Sequence, residues 1–338
     1  ANFVAITPRL PEQQTSAEYP FVLNTGRIRD QWHTMTRTGN APRLLKHIDR
    51  PWLSVHPVDA QALDVKDGDL IKAEAACTGD LEVILPVKID DKQRRKEVFA
   101  PFHWSATWGS HARVGALLNG ANDALSGQPE LKHGAIKLSP VAMQSYGLVY
   151  GEEALVNALQ SATYYYLNTP TSVAACIEIA DQRDPQSMVA EVIKHLPKDA
   201  QWATLQGSHQ LSIVVTRKNK LVLAILLEDK PTDIPRDWLD SLYNGDELSP
   251  EQINGLLEQQ PDDAFLLGKV VCSCFGVREN TIKQAIAEGN NTVAGLGKAL
   301  KCGTNCGSCK TELASLIEST SAVSKPHPKE ETTNEYAL

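Results

Sequence analysis

Apolar positions recur in three different rhythms along the chain. In residues 1–145 they come in short bursts: Phe21-Val22-Leu23, Leu53-Ser54-Val55, Leu70-Ile71-Lys72-Ala73 and Leu81-Glu82-Val83-Ile84. Bursts of this length, broken by turn formers such as Asp67-Gly68-Asp69, predict short strands. Pro57-Val58-Asp59-Ala60-Gln61-Ala62-Leu63 predicts one short helix with proline in its first turn. Many short strands with few helices predict a β-barrel.

Residues 146–267 mix the two periods. Tyr164-Tyr165-Tyr166-Leu167 and Val173 to Ile179 predict strands. Leu211 to Val215 and Leu221 to Leu227 flank Arg217-Lys218-Asn219-Lys220, which predicts a hairpin. Asp184-Pro185 offers an N-cap and a proline at N1 for a helix with Met188, Val192 and Leu196 on one face. Two further short helices are expected, around Trp238-Leu239 and from Ser249-Pro250 to Glu258. Residues 268–320 are helical and rich in cysteine, and the polar stretch Ser321 to Leu338 predicts a disordered tail. The opening Ala1-Asn2-Phe3-Val4-Ala5-Ile6 reads as a strand already under way, from which a longer polypeptide is expected, with this chain as its C-terminal part.

Composition narrows the classes. With 338 residues and 42% hydrophobic content, two or three ordinary cores can form. The formal charge is −8, and no basic run exceeds Lys92-Gln93-Arg94-Arg95-Lys96, which speaks against nucleic acid as a partner. The longest aliphatic run, Leu221 to Leu227, is too short to span a bilayer, and no charged-then-apolar leader opens the sequence. A cytoplasmic protein is therefore expected, with no membrane partner. Seven cysteines, crowded toward the C-terminus, look like reduced metal ligands rather than a disulfide framework.

The crowded cysteines form two close pairs, Cys272-Ser273-Cys274 and Cys306-Gly307-Ser308-Cys309, expected at or just before helix N-termini. Free N–H groups and the helix dipole favour an anionic thiolate cluster there. Gly276, Gly303 and Gly307 would let backbone amides approach the sulfurs. Four thiolates hold iron or zinc. The first pair is C-x-C and the intervening sequence is helical, unlike a zinc ribbon. Cys302 is expected to be a packed or solvent-facing thiol, with an alternative-ligand role the lesser reading, and Cys77 and Cys176 read as small hydrophobes in strand-like contexts.

Near the N-terminus, Leu23-Asn24-Thr25-Gly26-Arg27 and Asp30-Gln31-Trp32-His33-Thr34-Met35-Thr36-Arg37-Thr38-Gly39 concentrate hydroxyls, arginines, an amide, an indole and an imidazole. That mixture suits a ligand carrying phosphates and a flat heterocycle. The bland alternative is a polar loop with a half-buried Trp32. His103 and His111 lack paired ligand spacing and read as surface or cofactor-edge histidines.

Val271-Cys272-Ser273-Cys274-Phe275-Gly276-Val277 with Gly303-Thr304-Asn305-Cys306-Gly307-Ser308-Cys309 resembles the [2Fe-2S] domain of bacterioferritin-associated ferredoxin, which recurs in nitrite and assimilatory nitrate reductases. The resemblance implies Cys272, Cys274, Cys306 and Cys309 as ligands. The N-terminal stretch resembles the molybdopterin-dinucleotide-binding domain of the DMSO-reductase superfamily, most closely that of the assimilatory nitrate reductases. Val55-His56-Pro57-Val58-Asp59-Ala60, Val65-Lys66-Asp67-Gly68-Asp69, Val98-Phe99-Ala100-Pro101-Phe102-His103-Trp104 and Gln128-Pro129-Glu130-Leu131-Lys132 follow in the family's order. This implies a molybdenum bis(molybdopterin guanine dinucleotide), shared with N-terminal domains outside this chain and held here by Thr25, Gly26, Arg27, Gln31, Trp32, His33, Thr34, Arg37, Phe102 and Lys132. The family usually carries an asparagine where this sequence has Gly115, with Asn119 or Asn122 as substitutes. The implied fold is multidomain α+β: a β-barrel of double-psi type (1–145), a mixed α/β middle domain acting as spacer (146–267) and a small all-α [2Fe-2S] domain (268–320). The implied activity is reduction of nitrate to nitrite, fed by an NADH-dependent flavoprotein reductase or by ferredoxin or flavodoxin. No molybdenum ligand and no cysteine set for a [4Fe-4S] cluster stand out, so the chain alone is expected to be inactive. Alternatives are a non-catalytic electron-transfer module, or another molybdopterin oxidoreductase such as a formate dehydrogenase.

Overall fold

The computed structural model describes residues 3–5, 7–77, 79, 81–231 and 233–323. The chain divides into two compact units, Ala1–Leu266 and Leu267–Leu338. In the first, six strands close a barrel: β1 (Phe21–Gly26), β2 (Leu53–Val55), β3 (Leu70–Glu74), β4 (Val83–Ile89), β5 (Glu97–Pro101) and β6 (Gly134–Pro140), in the order β1-β5-β2-β4-β3-β6. β1 runs parallel to β5 and β2 to β4, while the remaining pairs are antiparallel. Period two decides what is inside: Phe21, Leu23 and Thr25 of β1 are buried and Asn24 is exposed. Leu23, Val55, Ile71, Leu85, Val98 and Ile136 fill the barrel. Two short helices, α1 (Pro42–Leu45) and α2 (Pro57–Ala62), interrupt the strands. The α2 helix starts as its sequence predicts, with Pro57 at N1 and the His56 ring accepting from the Val58 N–H at 3.1 Å.

The chain then builds a six-stranded antiparallel sheet from β7 (Ser145–Gly151), β8 (Tyr165–Asn168), β9 (Ala175–Asp181), β10 (Gln201–Gln206), β11 (Gln210–Arg217) and β12 (Lys220–Glu228), ordered β10-β11-β12-β7-β9-β8. Helices α3 (Glu153–Gln160) and α4 (Pro185–His195) cover one face, and α5 (Arg236–Asn244) and α6 (Pro250–Glu258) the other. Leu223, Ile225 and Leu227 of β12 pack with the first pair, Ala224 and Leu226 with the second. Burial on both faces is why this stretch is apolar without alternation. The hairpin turn falls on Lys218 and Asn219, both left-handed at φ 52° and 58°, as a type I′ turn requires. Asp184 caps α4 through the Ser187 N–H at 2.9 Å, and Ser249 and Gln252 form a capping box on α6.

Barrel and sheet share one core. Met35, Leu45, Leu70, Ile84 and Trp104 pack with Tyr165, Leu167 and Ala180. Beside them lies an ion network in which Arg236 bonds Asp49 at 2.7 Å and Glu178, and Arg50 bonds Glu178 at 3.0 Å.

The second unit holds β13 (Val270–Cys272) antiparallel to β14 (Val277–Arg278), then α7 (Glu279–Ala287), α8 (Val293–Leu300) and α9 (Lys310–Val323), around Val271, Ile282, Leu296 and Leu313. This corrects the expectation of an all-α domain, because the short ladder carries Cys272. Residues 321–323 continue α9 rather than starting a tail, and the rest of the expected tail, 324–338, lies outside the described residues. Phe3, Val4 and Ala5 are exposed and join no strand, which corrects the strand reading there; Ala1, Asn2 and Ile6 lie outside the described residues. Among the described residues no helix is long and apolar enough to cross a membrane.

Candidate functional site

The parallel pairing of β1 and β5 brings Gly26 opposite Pro101, so both strands deliver their following loops to the same end of the barrel. The Phe102 N–H donates to the Gly26 carbonyl at 3.1 Å. Gly26 has no room for a side chain: a Cβ there would lie 2.7 Å from Phe99 Cε2. The Thr25 hydroxyl is buried and donates to the Leu131 carbonyl at 2.6 Å, while Lys132 Nζ bonds the Thr25 carbonyl. Thr25, Gly26, Phe102 and Lys132, far apart in sequence, are thus brought together.

Beyond Gly26 the loop is strained. Asp30, His33 and Met35 all take left-handed φ, at 72°, 44° and 61°, a conformation L-residues pay for and one that clusters at ligand sites. The result presents side chains outward. Arg27, Trp32, His33, Thr34 and Arg37 are exposed, with Trp32 54% exposed. The Arg27 guanidinium lies 5.8 Å from the Trp32 ring centroid, and Trp32 meets His33 edge-on at 4.6 Å. Gln31 instead turns inward: its amide donates to the Leu44 carbonyl at 3.2 Å, and its buried Oε1 has no hydrogen-bond partner among the described residues. Arg37 heads the 3-10 turn Thr38–Asn40, and its side chain makes no cap hydrogen bond there.

Two residues hold this loop in place, and sequence reasoning gave neither that role. His103 is fully buried. Its Nε2 accepts from the Ile28 N–H at 2.9 Å and its Nδ1–H donates to the His33 carbonyl at 2.6 Å. Both ring nitrogens are committed, which fixes a neutral ring, and burial, aided by the nearby Arg27 charge, pushes its pKa down. Trp108 donates its indole N–H to the Thr34 carbonyl at 2.9 Å and packs so closely on Gly39 that a Cβ there would lie 2.3 Å from its ring. In sequence Gly39 and Trp108 are separate features, and only the fold brings them together.

Other candidates take ordinary roles. His111 bonds the Ser110 hydroxyl at 2.7 Å and lies near Glu82 and Tyr164; burial lowers its pKa. A Cβ on Gly115 meets nothing within 4 Å, so an asparagine would fit there although none is present. The Asn119 side chain accepts from the Ala121 N–H at 3.2 Å, a local turn. Cys77 is exposed rather than a small hydrophobe, because it lies past the end of β3; Cys176 is buried in β9 as expected.

In the second unit each cysteine pair splits between inside and outside. Cys272 and Cys309 are buried in the core, Cys274 is half-buried and Cys306 exposed. Cys274 Sγ lies 3.3 Å from Cys306 Sγ, and Cys306 Sγ 3.2 Å from the Ser308 hydroxyl. Cys309 immediately precedes α9, whose first turn leaves backbone N–H groups without partners within the helix. Cys272 instead ends β13, and Cys274 lies in the β13–β14 turn five residues before α7, so of the four only Cys309 directly abuts a helix start. Gly276, Gly303 and Gly307 take φ of 65°, 76° and 74°, the left-handed turns that fold the loops around the thiols. Cys302 is packed, its thiol 3.4 Å from the Leu296 carbonyl. Among the described residues no three metal-binding side chains surround a single ion site. A two-iron cluster asks for two thiolates on each iron, and the structure brings one thiol of each sequence pair, Cys274 and Cys306, into contact.

Residues 21–136 match the family of molybdopterin dinucleotide binding domains, and residues 270–319 the BFD-like [2Fe-2S] binding domains. The chain carries both cofactor domains. The dinucleotide domain coincides with the closed barrel and its strained loop, and the [2Fe-2S] domain with the hairpin and three helices around the cysteines. A nitrate reductase of Klebsiella oxytoca is 31% identical over 317 residues, covering 94% of this chain and 36% of that protein. A nitrate reductase of Shewanella frigidimarina is 26% identical over 93% of this chain and 36% of its own length. The alpha subunit of a formate dehydrogenase of Methanocaldococcus jannaschii is 34% identical over 37% of this chain. The chain spans about a third of the length of the two nitrate reductases.

Proposed function

We propose that this chain is the cofactor-clamping and electron-accepting portion of a molybdenum-dependent assimilatory nitrate reductase that converts nitrate to nitrite in the cytoplasm. One observation carries the reading: the two cofactor domains occur in one chain that aligns with a nitrate reductase over 94% of its length. When bound, the molybdenum centre supplies the oxygen-atom chemistry and the [2Fe-2S] cluster a one-electron store.

The chain's own residues then divide the work. Arg27 and Lys132 offer cations to phosphate oxygens; Lys132 has donors to spare beyond its bond to the Thr25 carbonyl. Gly26 keeps the backbone bare, Trp32 offers a flat face, and the unpartnered Gln31 Oε1 is an acceptor for an N–H edge. Thr25 positions the strand end, while His33, Thr34, Arg37 and Phe102 line the approach. Cys272, Cys274, Cys306 and Cys309 hold the cluster, the exposed Cys306 marking its accessible edge. In this reading residues 1–145 clamp the dinucleotide, 146–267 act as spacer and 268–320 accept electrons from an NADH-dependent flavoprotein reductase, ferredoxin or flavodoxin.

A formate dehydrogenase activity is the second reading, favoured by the Methanocaldococcus subunit, but that likeness extends over little more than a third of the chain. Iron and sulfide analysis with EPR of the anaerobically purified chain tests the cluster; zinc in place of iron overturns it. Viologen-linked assays of the complete gene product against nitrate and formate decide the substrate. The isolated chain is expected to reduce neither, and turnover by it would overturn the division of labour.

A further inference from the structure

The second unit guards its thiols unequally. Cys272 and Cys309 are 3% and 2% exposed and pack with Val271, Ile282, Leu296 and Leu313. Cys302 lies in the same core, its thiol against the Leu296 carbonyl. Cys274 is half-buried and Cys306 exposed, and their sulfurs meet at 3.3 Å although they stand 32 positions apart in sequence. Helices α7 and α8 lie between them along the chain, so the fold alone makes them neighbours.

A disulfide asks two sulfurs to close to about 2.0 Å. The loops that carry this pair have room to yield that distance. Gly276 and Gly307 follow the two cysteines in left-handed turns at φ 65° and 74°, and a Cβ on Gly276 would meet nothing within 4 Å. The Ser308 hydroxyl, 3.2 Å from Cys306 Sγ, is placed to donate to its thiolate, the reactive form of a cysteine.

We propose that Cys274 and Cys306 form a redox modification site: in the cluster-free chain a hydroperoxide joins them in a disulfide, which withholds two of the four ligands from iron until a dithiol reductant returns them. The inference rests on the cluster reading above for its consequence, while the thiol contact stands without it. Cys306, the exposed member, reacts first. Its thiolate forms an S–O bond to one peroxide oxygen as the O–O bond breaks, and hydroxide leaves. The Cys274 thiolate then attacks the sulfenic sulfur; S–S forms, S–O breaks and a second hydroxide leaves. The two thiol protons turn both hydroxides into water, so the thiols lose two electrons and the peroxide gains them. The near thiol diverts Cys306 from irreversible sulfinic acid, and burial keeps Cys272, Cys302 and Cys309 out of the oxidant's reach.

The test takes the chain made cluster-free by anaerobic chelation and adds equimolar hydrogen peroxide. Two of the seven thiols should disappear on titration, and peptide mapping by mass spectrometry should join Cys274 to Cys306. Reconstitution with iron and sulfide, read by visible absorption and EPR, should fall about tenfold or more and return after dithiothreitol. Cys274→Ser should leave a dimedone-reactive sulfenic acid on Cys306 and no crosslink, whereas Cys77→Ser and Cys302→Ser should crosslink as the parent does. If Cys274→Ser does not fold, the map of the parent chain decides. A crosslink through other cysteines, sulfinic acid on Cys306 without a crosslink, or undiminished cluster uptake by the oxidised chain overturns the proposal. Absence of a [2Fe-2S] signal in the reconstituted chain that never met peroxide overturns the cluster reading instead and leaves the disulfide standing.

Discussion

Replacing His103 by phenylalanine keeps a ring in the pocket while deleting both hydrogen bonds that pin the loop after β1. The Ile28 N–H, half-buried and bonded at 2.9 Å, loses its acceptor, which costs about 1–3 kcal/mol if water cannot reach it. The His33 carbonyl belongs to an exposed residue and can turn to water, so its share is nearer about 1 kcal/mol. Together these give about 2–4 kcal/mol, a large fraction of a typical domain's stability. Because three residues of the loop hold left-handed φ, the loss should fall first on local opening. Hydrogen exchange of amides 28–38 should accelerate about 30-fold or more, since each 1.4 kcal/mol is a factor of ten. Urea unfolding provides the global value. Unchanged exchange together with a stability loss below about 0.5 kcal/mol would refute the claim that His103 bolts the loop.

The same histidine sets a pH dependence. Burial lowers the pKa of His103 and of His111 below the ordinary 6.5, so each neutral ring contributes stability above that value and the contribution is lost as pH falls below it; the unfolding free energy should decline below about pH 6.5, less steeply in His103→Phe, and an identical slope in both proteins would contradict the assignment. Gly26→Ala should destabilise by about 1–3 kcal/mol, because the new methyl must displace the Phe99 ring, as thermal unfolding will read. Arg236→Met leaves Asp49 and Glu178 with Arg50 alone and should cost about 2–4 kcal/mol in urea unfolding, a figure discounted for the partial exposure of both carboxylates. Cys306→Ser should lower bound iron sharply by elemental analysis, whereas Cys302→Ser, a packed thiol, should retain it.

What could be read in the sequence was what short-range chemistry dictates. Asp184-Pro185 and Ser249-Pro250 start helices because their side chains satisfy N–H groups within one turn, and Lys218-Asn219 closes a hairpin that two apolar strands already demanded. The cysteine pairs and the Thr-Gly-Arg segment stood out because few other roles call for those residues at that spacing. What escaped depends on distant partners. His103 looked like an edge histidine since nothing nearby reveals that Ile28 and His33 bracket its ring. Cys77 looked buried because its neighbours are apolar, but β3 ends before it. The ladder carrying Cys272 is three residues long on one side and two on the other, too short for period two to register.

The packing of Trp104 and Ile84 against Tyr165 and Leu167 has a practical consequence for anyone dissecting the molecule. The stretch that matches a dinucleotide-binding family stops at residue 136, yet the hydrophobic surface that completes it is supplied by strands that come after. Expressed alone, a fragment ending at that family boundary would carry a raw apolar flank and should aggregate, whereas one ending at Leu266 should remain monodisperse. Evolutionary modules and folding modules need not share their borders, and here the sheet belongs to the barrel's stability even though no cofactor motif lies within it.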